Sequence, residues 1–129
     1  MERTQIVKQF DEGTIISPQT EIQSGSLEWY EHPAFKGVYL KDLIPGSDTN
    51  GQFSCHIVRI EKGCEVGDHS HETQWEFNES LQGNGVFVLG GKRIPFGSNY
   101  SFVTPPGVEH TVIAEDEDLY ILAKFIPAL

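Results

Sequence analysis

Apolar residues along this chain come in short runs set between turn residues, and no segment keeps the 3.6-residue period of a long amphipathic helix. QFSCHIVRI (52–60) is the plainest strand, β-branched and aromatic, and it runs into the turn at Gly63. Alternation puts Phe53, Cys55, Ile57 and Arg59 on one of its faces and Ser54, His56, Val58 and Ile60 on the other. Trp75 to Gln82 alternates as well, with Glu76, Asn78 and Ser80 on one side and Trp75, Phe77, Glu79 and Leu81 on the other. GVFVLGGKRIPFG reads as a hairpin turning at Gly90-Gly91, and NYSFVTPPG as a strand entering a proline-rich corner. The last twenty residues give two strands separated by the acidic turn from Glu115 to Asp118. Upstream, VYLKDL after Gly37 predicts a strand ending at Pro45-Gly46, and Asn50-Gly51 marks a turn. About ten short strands and no convincing helix predict an all-β sandwich or small barrel. Residues 1–25, with few apolar side chains, fit either a short helix or an edge strand laid on the barrel or on a neighbouring subunit.

Composition narrows the class. A chain of 129 residues is one domain with room for a real core. A net charge of −10 with no basic patch argues against nucleic acid or anionic membrane as a partner. The polar, charged start resembles no signal peptide, and no apolar run reaches the roughly 18–20 residues that span a bilayer, so a cytoplasmic protein is expected. Cys55 and Cys64 are too few for a disulfide framework and form no C-x-x-C pair; they read as ordinary thiols.

Candidate chemistry sits between Gly63 and Gly83. His69 and His71 are two apart, so in a strand both imidazoles face one space, their Cβ atoms about 6–7 Å apart. Glu76 follows, and His110 downstream is a third possible histidine ligand. One histidine is more often structural than not, but three at these spacings beside a carboxylate predict a divalent metal. His32 in a loop and His56 on a strand read as non-ligands. If Glu76 points into a cavity, Asn78 and Ser80 point with it, placing hydrogen-bonding groups where a sealed barrel would be aliphatic. Asn78, Ser80 and the aromatic Phe77 are the candidate substrate contacts, although aromatics in sandwiches are usually core.

These residues resemble the cupin superfamily. Its first motif, G-x5-H-x-H-x3,4-E-x6-G, fits Gly63, His69, His71, Glu76 and Gly83 at every fixed position. The second, G-x5-P-x-G-x2-H-x3-N, fits at Pro105, Gly107 and His110, with Asn99 and Ala114 at its two ends instead of glycine and asparagine. Asparagine is the residue after glycine that best tolerates a left-handed turn, so the first departure is mild. Ala114 lies past the ligand, where its effect falls on packing. A looser similarity, through Trp29, Phe35, Gly37, Val38, Lys41 and Leu43 and then Val58, Arg59, Ile60 and Gly63, points to acetylacetone-cleaving dioxygenases and the cupin half of zinc-dependent anti-sigma factors.

The resemblance implies a single-domain double-stranded β-helix, or jelly-roll barrel, over 46–129, with 1–45 as an N-terminal extension and dimer contact. It also implies a metal held by His69, His71, Glu76 and His110. The metal would be iron, manganese, nickel, zinc or copper, with two positions of an octahedral ion left for ligand. The expected function is a metal-dependent, non-haem oxygenase acting on a small chelating molecule, in a homodimer. The alternatives are a non-catalytic sensor or binding barrel, and a metal-assisted isomerase using His56 or Glu79 as an extra base.

Overall fold

The structure, a computed structural model, describes residues 3–129. One short helix, α1 (Gln5–Asp11), precedes the strands β1 (Thr14–Ile16), β2 (Glu21–Gln23), β3 (Tyr30–Glu31), β4 (Val38–Ile44), β5 (Ser54–Ile60) and β6 (Glu65–His69). They are followed by β7 (Trp75–Gln82), β8 (Gly85–Leu89), β9 (Lys92–Phe96), β10 (Ser101–Thr104), β11 (His110–Ala114) and β12 (Leu119–Ile126). Six strands, ordered β10-β7-β12-β5-β4-β3, form one antiparallel sheet; four, ordered β6-β11-β8-β9, form a second. Because the chain alternates between the sheets as it proceeds, the result is the all-β jelly roll expected from the pattern. No helix among the described residues is long and apolar enough to cross a membrane.

The strand boundaries follow from local chemistry. Gly90 and Gly91, at φ 56° and 83°, supply the paired positive φ values of the tight turn between β8 and β9. Asn50 (φ 53°) ends a 3-10 turn at Gly46–Thr49 and closes a longer hairpin between β4 and β5. Asn99 is not left-handed: Asn50 is the non-glycine residue with positive φ among those described. Ala114 packs in the core at 1% exposure, and its backbone pairs with Gly63 and Cys64, so its role is packing.

Between the sheets, Val38, Leu40, Ile60, Phe87, Phe96, Val112, Ala114, Leu119 and Ile121 make the main core. A second cluster covers the outer face of the six-stranded sheet, where Leu43, Cys55, Ile57, Tyr120 and Leu122 meet Val7, with Phe10, Ile15, Leu27 and Trp29 against them. The N-terminal segment is a short helix followed by a separate two-stranded hairpin, folded over the outer face of the six-stranded sheet. Thr4 accepts a hydrogen bond from Val7 N–H at the start of α1, and its own N–H donates to Gln82. Lys41, 3% exposed on β4, donates to Asp11 Oδ1 (2.5 Å), Asp11 O (3.1 Å) and Ser24 O (3.0 Å), pinning the segment to the barrel.

Two features bear on the N-terminal segment. β4 pairs along β5 inside the main sheet, so the barrel begins well before residue 46. Much of the apolar surface of 1–45 that suggested a dimer contact is buried against the chain itself, with Ile6, Ile16 and Tyr30 left exposed. Large exposed apolar side chains also gather elsewhere, where Trp75 lies opposite Ile126 and Phe77 opposite Val103.

Candidate metal centre

The histidines arrive from different parts of the roll. His69 ends β6 and His110 opens β11, directly opposite each other in one ladder, with ring centroids 4.1 Å apart. His71 lies in the connection from β6 to β7, and Glu76 faces inward from β7 in the other sheet. Gly107, at φ 77°, turns the chain after the proline corner so that its N–H donates to the His71 carbonyl at 2.8 Å. That single bond ties the loop before His110 to the loop carrying His71.

One ligand atom from each of the four residues lies within 4.8 Å of the other three. Two donors opposite each other on a transition-metal ion are about 4.2 Å apart, so small side-chain shifts bring the group to coordinating distance. Tautomers fit as well. His69 Nδ1 is 2.7 Å from Gly67 O and His110 Nδ1 is 3.0 Å from Val108 O. A carbonyl only accepts, so both Nδ1 atoms carry protons and both Nε2 atoms are turned toward the cluster, the arrangement that orients metal-binding imidazoles. The group could therefore hold one transition-metal ion through nitrogen and oxygen.

Charge in the cluster is coupled. Burial would raise the Glu76 carboxyl, but the hydrogen bond and charge of His110 and the amide of Asn78 together hold it below the usual range. Burial would likewise lower His110, and the hydrogen bonds to Glu76 and Val108 more than reverse it. His69 and His71 are both pushed down, chiefly by burial. A cation taking His110 Nε2, which is 3.2 Å from Glu76 Oε1, must displace a proton the carboxylate favours.

The cluster forms one end of a cavity of about 120 Å³. Val38, Leu40, Val58, Ile60, Val112 and Ile121 make its apolar walls, and Asn78 joins the polar end. Phe125 packs edge-on to His71, centroids 5.0 Å apart. Sequence alternation thus turned Glu76 and Asn78 inward as expected. Ser80 is buried on the same side but does not line the cavity, and its Oγ has no hydrogen-bond partner.

Phe77 corrects the sequence reading. Its ring stands on the outer face beneath Lys124, 4.6 Å from Nζ, because the alternation that buries Glu76 must expose its neighbour. His56 is no ligand: its Nδ1 is 2.7 Å from Asp42 Oδ1 and its Nε2 2.9 Å from Ser54 Oγ, away from the cavity. Glu79 pairs with Lys124 on the outer face. Both cysteines are free and neither lines the cavity. Among the lining residues that sequence did not place in the cavity are His32, whose Nδ1 accepts from Ala34 N–H, and Leu129, whose N–H donates to Ser54 Oγ. No local pattern marks either, since each reaches the cavity only through the fold.

Comparison with known proteins agrees with this architecture. Among solved structures, a predicted oxalate decarboxylase from Thermotoga maritima superimposes with a TM-score of 0.74 at 26% identity, over 82% of this chain and 97% of that one. An RmlC-like cupin from Shewanella frigidimarina gives 0.71 at 19% identity (83% and 89% covered). The polyketide cyclase RemF from Streptomyces resistomycificus gives 0.72 at 16% (83% and 78%). At these last two identities the likeness is one of fold. A comparison with curated proteins finds no match. The cupin-domain family model matches residues 56–123, more than half of the chain and the stretch that holds all four candidate ligands, and the chain belongs to the cupin superfamily as a type-2 conserved-barrel domain.

Proposed function

We propose that this cupin is a metal-dependent, non-haem oxygenase-type enzyme acting on a small chelating organic substrate. The observation that carries the reading is that three imidazoles and one carboxylate line a mostly apolar cavity together. Four donors leave part of a six-coordinate ion free, and the cavity is where the free positions would face. A bound ion would supply Lewis acidity and, if redox-active, the means to engage dioxygen.

The chain's own residues do the rest. His69 and His110 are held with Nε2 forward by backbone carbonyls, and Glu76 supplies negative charge at the base of the site. Aliphatic walls give the reacting groups a largely apolar surrounding. A cavity of about 120 Å³ is somewhat smaller than the engineered 150 Å³ space that accepts benzene, which favours a compact diketone or similar chelating anion over a polycyclic phenol. An isomerase is disfavoured, because neither His56 nor Glu79 lines the cavity.

Elemental analysis of freshly purified protein, followed by oxygen uptake of iron- and manganese-loaded samples across small diketones and phenols, tests the proposal. Metal-dependent uptake with a compact chelator is the expected result. A protein purified without metal, and unable to take one up, would overturn it. Ligand-induced stabilisation without turnover would favour the binding-barrel alternative.

A further inference from the structure

Asn78 is an unusual residue to find where it is. It lies 2% exposed in the middle of β7, opposite Ala123 on one neighbouring strand and Phe102 on the other. Only one end of its amide is satisfied: Nδ2 donates to Glu76 Oε2 at 3.1 Å, while Oδ1 is buried with no partner. The orientation of the amide is dictated, since an ionised carboxylate can only accept and only the NH2 end can serve it. A buried polar group left half unsatisfied costs stability. What the site gains in return is the contact to Glu76.

That contact divides the two oxygens of Glu76. Oε2 is taken by Asn78, whereas Oε1 faces the histidines, 3.2 Å from His110 Nε2 and 3.6 Å from His71 Nε2. We propose that Asn78 is a positioning residue that makes Glu76 a one-oxygen ligand, presenting Oε1 to the ion and withholding Oε2. The inference rests on the metal-site reading above. It also revises the part given to Asn78 by sequence, from touching substrate to acting through Glu76. With Oε2 withheld, the carboxylate takes one coordination position instead of two, and a second position stays available for a chelating ligand.

The test uses zinc as the probe, the full chain, and protein labelled with 13C at the glutamate carboxylates. Affinity is read by competition with a chromophoric chelator. Zinc-minus-apo infrared spectra read the binding mode, because one-oxygen coordination separates the asymmetric and symmetric carboxylate stretches widely and two-oxygen coordination narrows the gap. The wild-type protein should show the wide separation. Asn78→Leu should weaken zinc binding by about 10–100-fold, the usual effect of losing a partner that orients a ligand, and should narrow the separation. Asn78→Ala, which removes the donor without adding a charge or a ligand, should do likewise and covers the case in which the leucine variant fails to fold. A purely structural role for Asn78 would alter the melting temperature and leave the infrared separation unmoved, and that result overturns the inference. So does a narrow separation in the wild-type protein, or affinity within twofold of wild type in a folded variant. A wild-type protein that binds no zinc overturns the metal site itself along with it, whereas zinc bound with a narrow separation removes only the role of Asn78.

Discussion

Removing the carboxylate of Asp11 should be the most damaging single change outside the barrel core. In Asp11→Ala, Lys41 keeps its two carbonyl acceptors, Asp11 O and Ser24 O, but its ammonium loses the countercharge while remaining about 3% exposed. Breaking a buried ion pair from one side costs about 3–5 kcal/mol, because the charge left behind has no water to turn to. For a domain of this length roughly 3–5 °C of melting temperature accompanies each kcal/mol, so a fall of about 10–25 °C is expected. Lys41→Met should cost less, about 1–3 kcal/mol, through two carbonyls left without their donor. Asp11 would still have Arg3 beside it at the more exposed edge. The double variant should then be no less stable than Asp11→Ala alone, since it has no stranded charge. Thermal and urea unfolding of the four proteins measure the cycle. Equal losses in the two single variants, or a loss under 1 kcal/mol in Asp11→Ala, would refute the reasoning. Metal affinity should be the same in all four, because this pair lies on the outer face of the sheet.

The remaining predictions concern the site. His69→Ala and His110→Ala should each abolish stoichiometric metal retention on a desalting column while the far-ultraviolet spectrum is kept; full retention in either removes that residue from the ligand set. Metal affinity should fall about tenfold per pH unit as pH drops through the raised pKa of His110, beginning above 6.5, and should steepen only lower, where the depressed His69 and His71 take up protons. In chelator-treated protein the sign is different for the pair. The raised His110 contributes stability that is complete below 6.5 and lost as pH rises through its folded value, and the depressed Glu76 contributes stability present above 4.5 and lost as pH falls through its own. Glu76→Gln should erase both limbs from a plot of melting temperature against pH. The homodimer expected from the family predicts twice the monomer mass by light scattering at high concentration, and a monomer throughout the series would end that expectation.

Much of this was legible along the chain because short-range rules govern it. The strand over Trp75–Gln82, the turn at Gly90-Gly91 and the inward set of Glu76 and Asn78 are consequences of period-two alternation and of glycine conformations, both local. The four candidate ligands were legible because the spacing of His69, His71 and Glu76 encodes one side of the cluster and the proline corner before His110 the other. The same alternation sets Phe77 on the face opposite Glu76, and its ring does stand outside the cavity, beneath Lys124. What alternation does not announce is that Lys41, in a run that otherwise alternates, is buried beneath a segment some thirty residues upstream in a contact set by the fold. His32 and Leu129 belong to the same class: each lines the cavity by long-range placement, with neighbours in sequence that give no sign of it.

The donors come from both layers of the roll, His69 and His110 from the four-stranded sheet and Glu76 from the six-stranded one. An ion shared among them would be a crosslink between the sheets, at the end where β6, β7 and β11 approach one another. Breathing motions that part the layers would then have to break coordination first. Amide hydrogens in β7 and in β11 should slow together when the site is filled, in strands that share no ladder. The free energy of that protection should grow with the logarithm of free metal concentration. Exchange on the β8–β9 hairpin, which pairs with β11 on the side away from β6, would report whether the two sheets open as one body or as two.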